Sequence, residues 1–346
     1  MEDFLKKKYI IPLFIILFLA DCSSQTVDDS AKGNSSGKKA ATILKKPAEF
    51  QPDQPKKITF SNNDLKVTIY SKGFAQGDAI YTEIEKQENG FIPESLSFLY
   101  KESKVPVTKT PWGFKSLWCI HPDQKPGKIS VSINYKKDGK NITLSSNILI
   151  KKGGFLVSKT KLDLGNFSNK SYTGDSKFKE TIAECTELRK KAFGAVSENK
   201  IQNTISHPRD MHKITSEFWK KRVYLTYQTK GKKKVTGSRS SIHRGLDLKG
   251  DVGAPVYAMI DGEVVLAHSM FYEGNMVVID HGNQIFSYYQ HLDSISVKTG
   301  DIVKAGDTIG GVGATGMVTG PHLHVSLVIH GVHIDPLSIL SLPISK

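Results

Sequence analysis

Between residues 256 and 328 the apolar side chains come in short runs, at 256–259, 262–267, 276–280, 285–289, 308–312 and 322–328, separated by clusters of Gly, Asn or Asp. Runs this short cannot carry a helical stripe, and turn residues at such spacing predict antiparallel β structure. Upstream, alternating runs at 65–70, 129–133 and 142–150 flank turns at Lys125-Pro126-Gly127-Lys128 and Lys137-Asp138-Gly139-Lys140, which predicts a small Ig-like β-sandwich over 58–152. Its Trp112 and Trp118 segments suit an aromatic core better than a binding surface. Between the two β regions, Phe178, Ile182, Cys185, Leu188 and Ala192 recur at helical spacing, marking a connector helix within 153–205 whose apolar stripe packs on one of the β domains. The expected fold is mainly β, in two domains.

The polar residues set into the C-terminal runs point to chemistry. Eight of the eleven histidines fall between 243 and 333. His243, Asp247, His291, His322 and His324 stand in the strings HRGLD, YYQHL and GPHLH. In extended chain, side chains alternate between faces, so His322 and His324 point one way, as do His243 and Asp247. Leu246, Leu248, Leu323 and Val325 then turn to the opposite, apolar face. Gly245, Gly250, Gly253 and Pro255 around the first motif, and Gly320-Pro321 before the second, argue against helices here. No HExxH occurs in the chain. A catalytic zinc takes three protein ligands from His, Asp, Glu or Cys and keeps a place for water, and this set supplies enough donors. A lone HxGxD arises often by chance; GPHLH is more specific, and the ordered combination is more specific still.

The same strings resemble the lysostaphin-type, or LytM-like, zinc metallopeptidases, with similarity running from Ile214 to Pro336. The resemblance implies a C-terminal LytM-like antiparallel β peptidase domain at 206–340, with a groove across one face that accepts an extended peptide. It implies His243, Asp247 and His324 as zinc ligands, and His291 and His322 as two unligated catalytic histidines. We assign His322 as general base, since it shares a strand face with His324, and His291 as oxyanion stabiliser; the converse assignment is the alternative. The family commonly shows S-x-F-G-x-R at the domain entrance, whereas this chain has Ser216-Glu217-Phe218-Trp219-Lys220-Lys221-Arg222, so the groove wall is expected to differ there. A long loop is expected over 229–241, where Arg239 either orients substrate or is a solvated cation.

Other residues are given structural expectations. His268, His281, His330 and His333 are read as solvated or turn residues, and Asp280 and Asp301 as turn caps. Tyr289, two before His291, either donates a hydrogen bond into the site or packs. Cys119 and Cys185 lack a CxxC spacing and are left open as a disulfide or free thiols.

Lys6-Lys7-Lys8 followed by twelve apolar residues, from Tyr9 to Ala20, reads as an export signal; that run is too short to span a bilayer, which needs about 20 residues. Leu19-Ala20-Asp21-Cys22 resembles a bacterial lipobox, implying a signal peptide at 1–21 and lipid on Cys22, with Asp21 as a departure from the usual small residue. Residues 22–57 are polar and cannot bury enough apolar surface to fold, which predicts a tether with an r.m.s. reach of about 30 Å. The net charge is +14, and with three Lys against three acidic residues the segment through Asp21 contributes none of it. An exported chain with this charge suits anionic wall polymers or lipid headgroups, and no nucleic-acid motif is present. The sequence therefore predicts a Zn2+-dependent endopeptidase of the cell envelope, held to a membrane through Cys22 and facing periplasm or exterior, and the resemblance implies peptide cross-links of peptidoglycan as its substrate. The alternative is a non-enzymatic wall-binding adaptor or activator of another hydrolase, against which the five intact positions speak.

Overall fold

A computed structural model describes residues 52–344 apart from 170–171, 173–174, 196, 202–204 and 229–233, so the leader, Cys22 and nearly all of the tether lie outside the described residues. The described chain is mainly antiparallel β.

Two sheets form the N-terminal unit. One runs in the order Lys56–Ser61, Leu65–Ser71, Ala79–Lys86, Gly113–Cys119, Thr108–Thr110, and the other in the order Ser103–Val105, Leu96–Tyr100, Gly127–Lys137, Lys140–Ile150. Alternation decides what each contributes: Leu65, Val67 and Ile69 from the first and Val131, Ile133 and Tyr135 from the second are buried in one shared core. Trp118 belongs to that core, edge-on to Phe98 at 5.5 Å with its Nε1 donating to Thr82 Oγ1 at 2.9 Å.

The C-terminal region is built on a sheet in the order Ile214–Ser216, Leu246–Lys249, His322–Ile329, Ile285–Leu292, Gly274–Asp280, Gly262–Met270, Ile302–Val303, with Val332–Ile334 also paired to His322–Ile329. Its two faces bury different sets. Val277, Ile279, Leu323, Val325 and Leu327 enter the main core, while Met276, Val278 and Phe286 turn outward under the connector helix Lys179–Phe193 through Cys185, Leu188 and Ala192. Asp175 starts this segment by accepting from the Lys177 amide at 3.1 Å. Cys185 on the buried face of this helix and Cys119 in the other unit are both free thiols.

The two units dock closely. Ala79 and Tyr81 of the first sheet join the C-terminal core beside Ile201 and Ile344. Asp335 N donates to Gly77 O and Ala79 N to Ser338 Oγ, each at 2.9 Å, and Lys72 pairs with Asp335 at 3.2 Å. After the N-terminal sheets, Val157–Leu162 lies parallel to Lys221–Gln228, which pairs antiparallel with Lys234–Ile242. Most of the expected 229–241 loop is therefore strand, because pairing with residues 221–228 satisfies its backbone; residues 229–233 lie outside the described ones. Among the described residues no helix is long and apolar enough to cross a membrane.

Candidate metal centre

Register assembles the site. Leu246–Lys249 pairs with His322–Ile329 so that Asp247 faces His324 and Lys249 faces His322, with Leu248, Leu323 and Val325 wholly buried on the opposite side. His243 arrives differently from the sequence expectation. It lies just past the end of the Lys234–Ile242 strand, and the chain turns through Gly245 before Asp247, so the two are not on one continuous strand. Gly245 permits this turn because a Cβ there would lie 2.2 Å from Ser326 Oγ and 2.5 Å from His324 Nε2.

Three atoms converge: His243 Nε2 to Asp247 Oδ1 is 3.0 Å, His243 Nε2 to His324 Nδ1 is 3.0 Å, and His324 Nδ1 to Asp247 Oδ1 is 2.9 Å. The partners of the remaining ring nitrogens fix the hydrogens. His243 Nδ1 lies 2.9 Å from Glu217 O, a carbonyl that can only accept, so in the neutral ring the hydrogen sits on Nδ1. Ser326 Oγ donates to Arg244 O at 3.3 Å and so accepts from His324 Nε2 at 3.0 Å, which puts that ring's hydrogen on Nε2. His243 Nε2, His324 Nδ1 and a carboxylate oxygen therefore present three bare lone pairs to one point. Such a cluster is repulsive without a cation. A triangle of this edge has its corners about 1.7 Å from its centre, within reach of the zinc–ligand distance of about 2.0–2.1 Å. The residues present suit a metal of this kind, and all three are buried.

With no cation bound, hydrogens on the facing imidazole nitrogens would do its work: burial opposes charge on Asp247, yet hydrogen bonds from His243 and His324 outweigh it and hold the carboxyl well below its ordinary value. Burial pushes His324 down to about 4, which keeps it neutral. Asp247 Oδ2 is bound by the guanidinium of Arg222, so each oxygen of the carboxylate has its own partner.

The two remaining histidines stand beside the cluster. His322 Nδ1 lies 2.8 Å from Gly320 O, leaving Nε2 bare and 3.7 Å from Asp247 Oδ1. His291 Nδ1 lies 3.0 Å from Thr315 O, and the His291 and His322 rings are 5.2 Å apart. Burial first, then His324 and His322, push His291 down to about 3. The backbone of His291 is left-handed, φ +63°, which breaks the alternation of its strand. Tyr289 consequently does not share its face. Tyr289 is fully buried and accepts from Met259 N at 2.7 Å, whereas Tyr288 stacks against His324 at 6.2 Å.

Several expectations are corrected or resolved. His281 is wholly buried, between Asp261 O at 2.7 Å and Ser287 Oγ at 2.9 Å, because its strand end is covered by the segment around Lys200. His333 contacts the Tyr288 hydroxyl at 2.9 Å instead of water, while His268 is exposed. Asp280 and Asp301 do cap turns, accepting from Gly282 N and Lys298 N, each at 2.9 Å. Arg239 lies over the Tyr224 ring at 4.9 Å and is half-buried. Arg222, Ser326 and Thr315 were missed. Ser326 continues the 322, 324 alternation and was open to detection; Arg222 and Thr315 reach the site only through strand pairing and loop closure.

At the entrance, Glu217–Lys220 clamps His243 three times: Glu217 O holds Nδ1, Trp219 N donates to His243 O at 2.8 Å, and His243 N donates to Lys220 O at 2.9 Å. Trp219 adopts φ +58°. A left-handed backbone for a residue with a Cβ costs on the order of 1–2 kcal/mol.

A convergent His-Asp-His donor set flanked by two further histidines, His291 and His322, on an antiparallel sheet, defines a metal-centre class of hydrolytic site. The model of the family described as Peptidase family M23 matches residues 241–336, and the chain carries a peptidase M23 domain there. The peptidoglycan DD-endopeptidase ShyC of Vibrio cholerae is 39% identical over 132 residues, 38% of this chain and 28% of the relative. The peptidoglycan DD-endopeptidase ShyA of the same organism is 47% identical over 93 residues, 27% of this chain and 22% of the relative. The chain thus spans less than a third of the length of these curated relatives. Among solved structures, the catalytic domain of the antimicrobial peptidase lysostaphin from Staphylococcus simulans is 34% identical, covering 29% of this chain and 80% of that one, with a TM-score of 0.28.

Proposed function

We propose that this chain is a zinc metalloendopeptidase of the bacterial cell envelope that hydrolyses peptide cross-links of peptidoglycan. One observation carries the reading: three lone pairs, on His243 Nε2, Asp247 Oδ1 and His324 Nδ1, meet within 3.0 Å, with the hydrogens of both imidazoles committed elsewhere. The names of the relatives supply the substrate class. Residues 206–340 would form the peptidase domain, 58–152 an Ig-like sandwich, 153–205 the connector and 22–57 the tether behind a signal peptide at 1–21, with lipid on Cys22 as anchor.

His243, Asp247 and His324 would hold the zinc, which when bound supplies Lewis acidity to the scissile carbonyl and lowers the pKa of water toward neutrality. The chain's own residues do the rest. Gly320 O fixes the His322 hydrogen on Nδ1, so Nε2 accepts a proton from the attacking water and later returns it to the leaving amine. His291, whose Nδ1 hydrogen is committed to Thr315 O, can donate from Nε2 only when protonated; it faces His322 and would take that proton from solvent as the negative oxyanion develops beside it, and return it to solvent on product release. Arg222 holds Asp247 ionised and oriented.

The test is direct. The mature chain should contain about one zinc and release amino groups from isolated cross-linked peptidoglycan, with fragment masses naming the bond cut. Metal-replete protein that leaves such peptidoglycan uncut over a range of pH and strains would remove the substrate assignment.

A further inference from the structure

Trp219 holds a left-handed backbone that a glycine would adopt freely, at a turn whose carbonyls grip His243 on both its ring and its amide. Such an outlier persists where its surroundings over-determine it. Those surroundings are Phe218 beside it, Phe155 of the connector and His121 of the N-terminal unit. The Trp219 ring packs with Phe218 at 5.4 Å and with Phe155 at 6.2 Å, and His121 from the N-terminal unit stands edge-on to it at 6.5 Å. Phe218 is buried 6.0 Å from Phe155 and lies so close over Gly77 that a Cβ there would sit 2.8 Å from its ring. Gly77 O in turn accepts from Asp335 N at the docking surface, and the Lys221 amide just past the turn donates to Leu156 O at 2.9 Å. A contiguous path therefore runs from the N-terminal sheets through Phe155 to the turn, and from the turn to His243.

We infer that Phe155 is a positioning residue, whose packing against Trp219 holds the left-handed turn and, through it, a correctly oriented His243. This rests on His243 being a metal ligand, as proposed above. Without the aromatic packing the left-handed conformation is no longer compensated, the turn relaxes, and the Glu217 carbonyl that sets the His243 tautomer swings away. The connector is then part of the metal site's construction as well as a neighbour of it.

The full-length chain tests this through Phe155→Ala, Trp219→Gly and the double variant. Zinc affinity is measured by competition with a chromophoric chelator, and hydrogen exchange at the Trp219 and His243 amides is followed in the metal-free protein. Phe155→Ala is expected to weaken zinc binding by at least about ten-fold, the scale for loss of an outer partner of a ligand, and to speed exchange at both amides. Trp219→Gly and the double variant, in which glycine holds the turn without help, are expected to stay within about three-fold of the parent. A merely structural role for Phe155 would not be rescued by glycine at 219. Phe155→Leu gives the same comparison should the alanine variant fail to fold. Unchanged affinity and exchange in Phe155→Ala, or a double variant as weak as the single, overturns the inference. A parent chain that takes up no zinc would instead remove the metal reading, and the amide exchange would still decide the role of Phe155.

Discussion

Asp247 and His324 face each other across one antiparallel pair, Oδ1 to Nδ1 2.9 Å, so the register of two strands is itself the scaffold of the donor set. A one-residue slip would send either side chain into the apolar core. His324→Ala and Asp247→Ala should therefore retain the fold, lose bound zinc, and lower hydrolysis by on the order of 10³-fold or more. Metal analysis beside circular dichroism checks both halves.

Arg222 binds the carboxylate oxygen of Asp247 that faces away from the cluster. Arg222→Ala should weaken zinc by about 10–100-fold through loss of an outer partner, with Arg222→Lys intermediate because an ammonium keeps the charge without the fork. Chelator competition gives the order; an alanine variant as tight as the parent would show that the contact is incidental.

His322 and His291 should separate from the ligands by what their removal spares. Each alanine variant is expected to keep its zinc and lose about 10²–10⁴-fold in kcat. Zinc loss from either would mean that it is a ligand in solution.

Gly245 leaves no room for a methyl group beside Ser326, His324 and Val325. Gly245→Ala should cost about 1–3 kcal/mol by overpacking and reduce zinc uptake as His324 is displaced. Denaturant midpoints with metal removed read the first effect, and chelator competition the second.

Burial pushes His281 and His207 down to about 4 from an ordinary value of 6.5. Between those values the unfolded chain binds protons that the folded chain refuses. Stability from these groups is thus complete above pH 6.5, falls as pH drops through the window, and levels off below pH 4. Each contributes a slope approaching about 1.4 kcal/mol per pH unit. Urea midpoints of the metal-free chain should fall accordingly, and the fall should be shallower in His281→Gln; parallel curves would exclude His281 as a source.

The strands of the C-terminal region were legible because alternation and turn chemistry are local. The expected runs at 262–267, 285–289 and 322–328 appear as Gly262–Met270, Ile285–Leu292 and His322–Ile329. The connector helix was legible for the same reason, its 3.6-residue stripe landing on the outer sheet face. Reading failed where the backbone left its ideal form. His291 turns left-handed and escapes the face of Tyr289, and the 229–241 segment, rich in Gly, Ser and Lys, is drawn into a strand by its partner at 221–228.

What the sequence by itself determined is the donor inventory and the direction in which each strand residue points, since periodicity is a property of neighbouring dihedrals. Tertiary structure alone decided that His243 joins from another strand around Gly245, that Arg222 closes the second oxygen of Asp247, and that Phe155 reaches the Trp219 turn. These contacts join residues far apart in the chain, and their geometry depends on how sheets pack and dock, which no local pattern encodes.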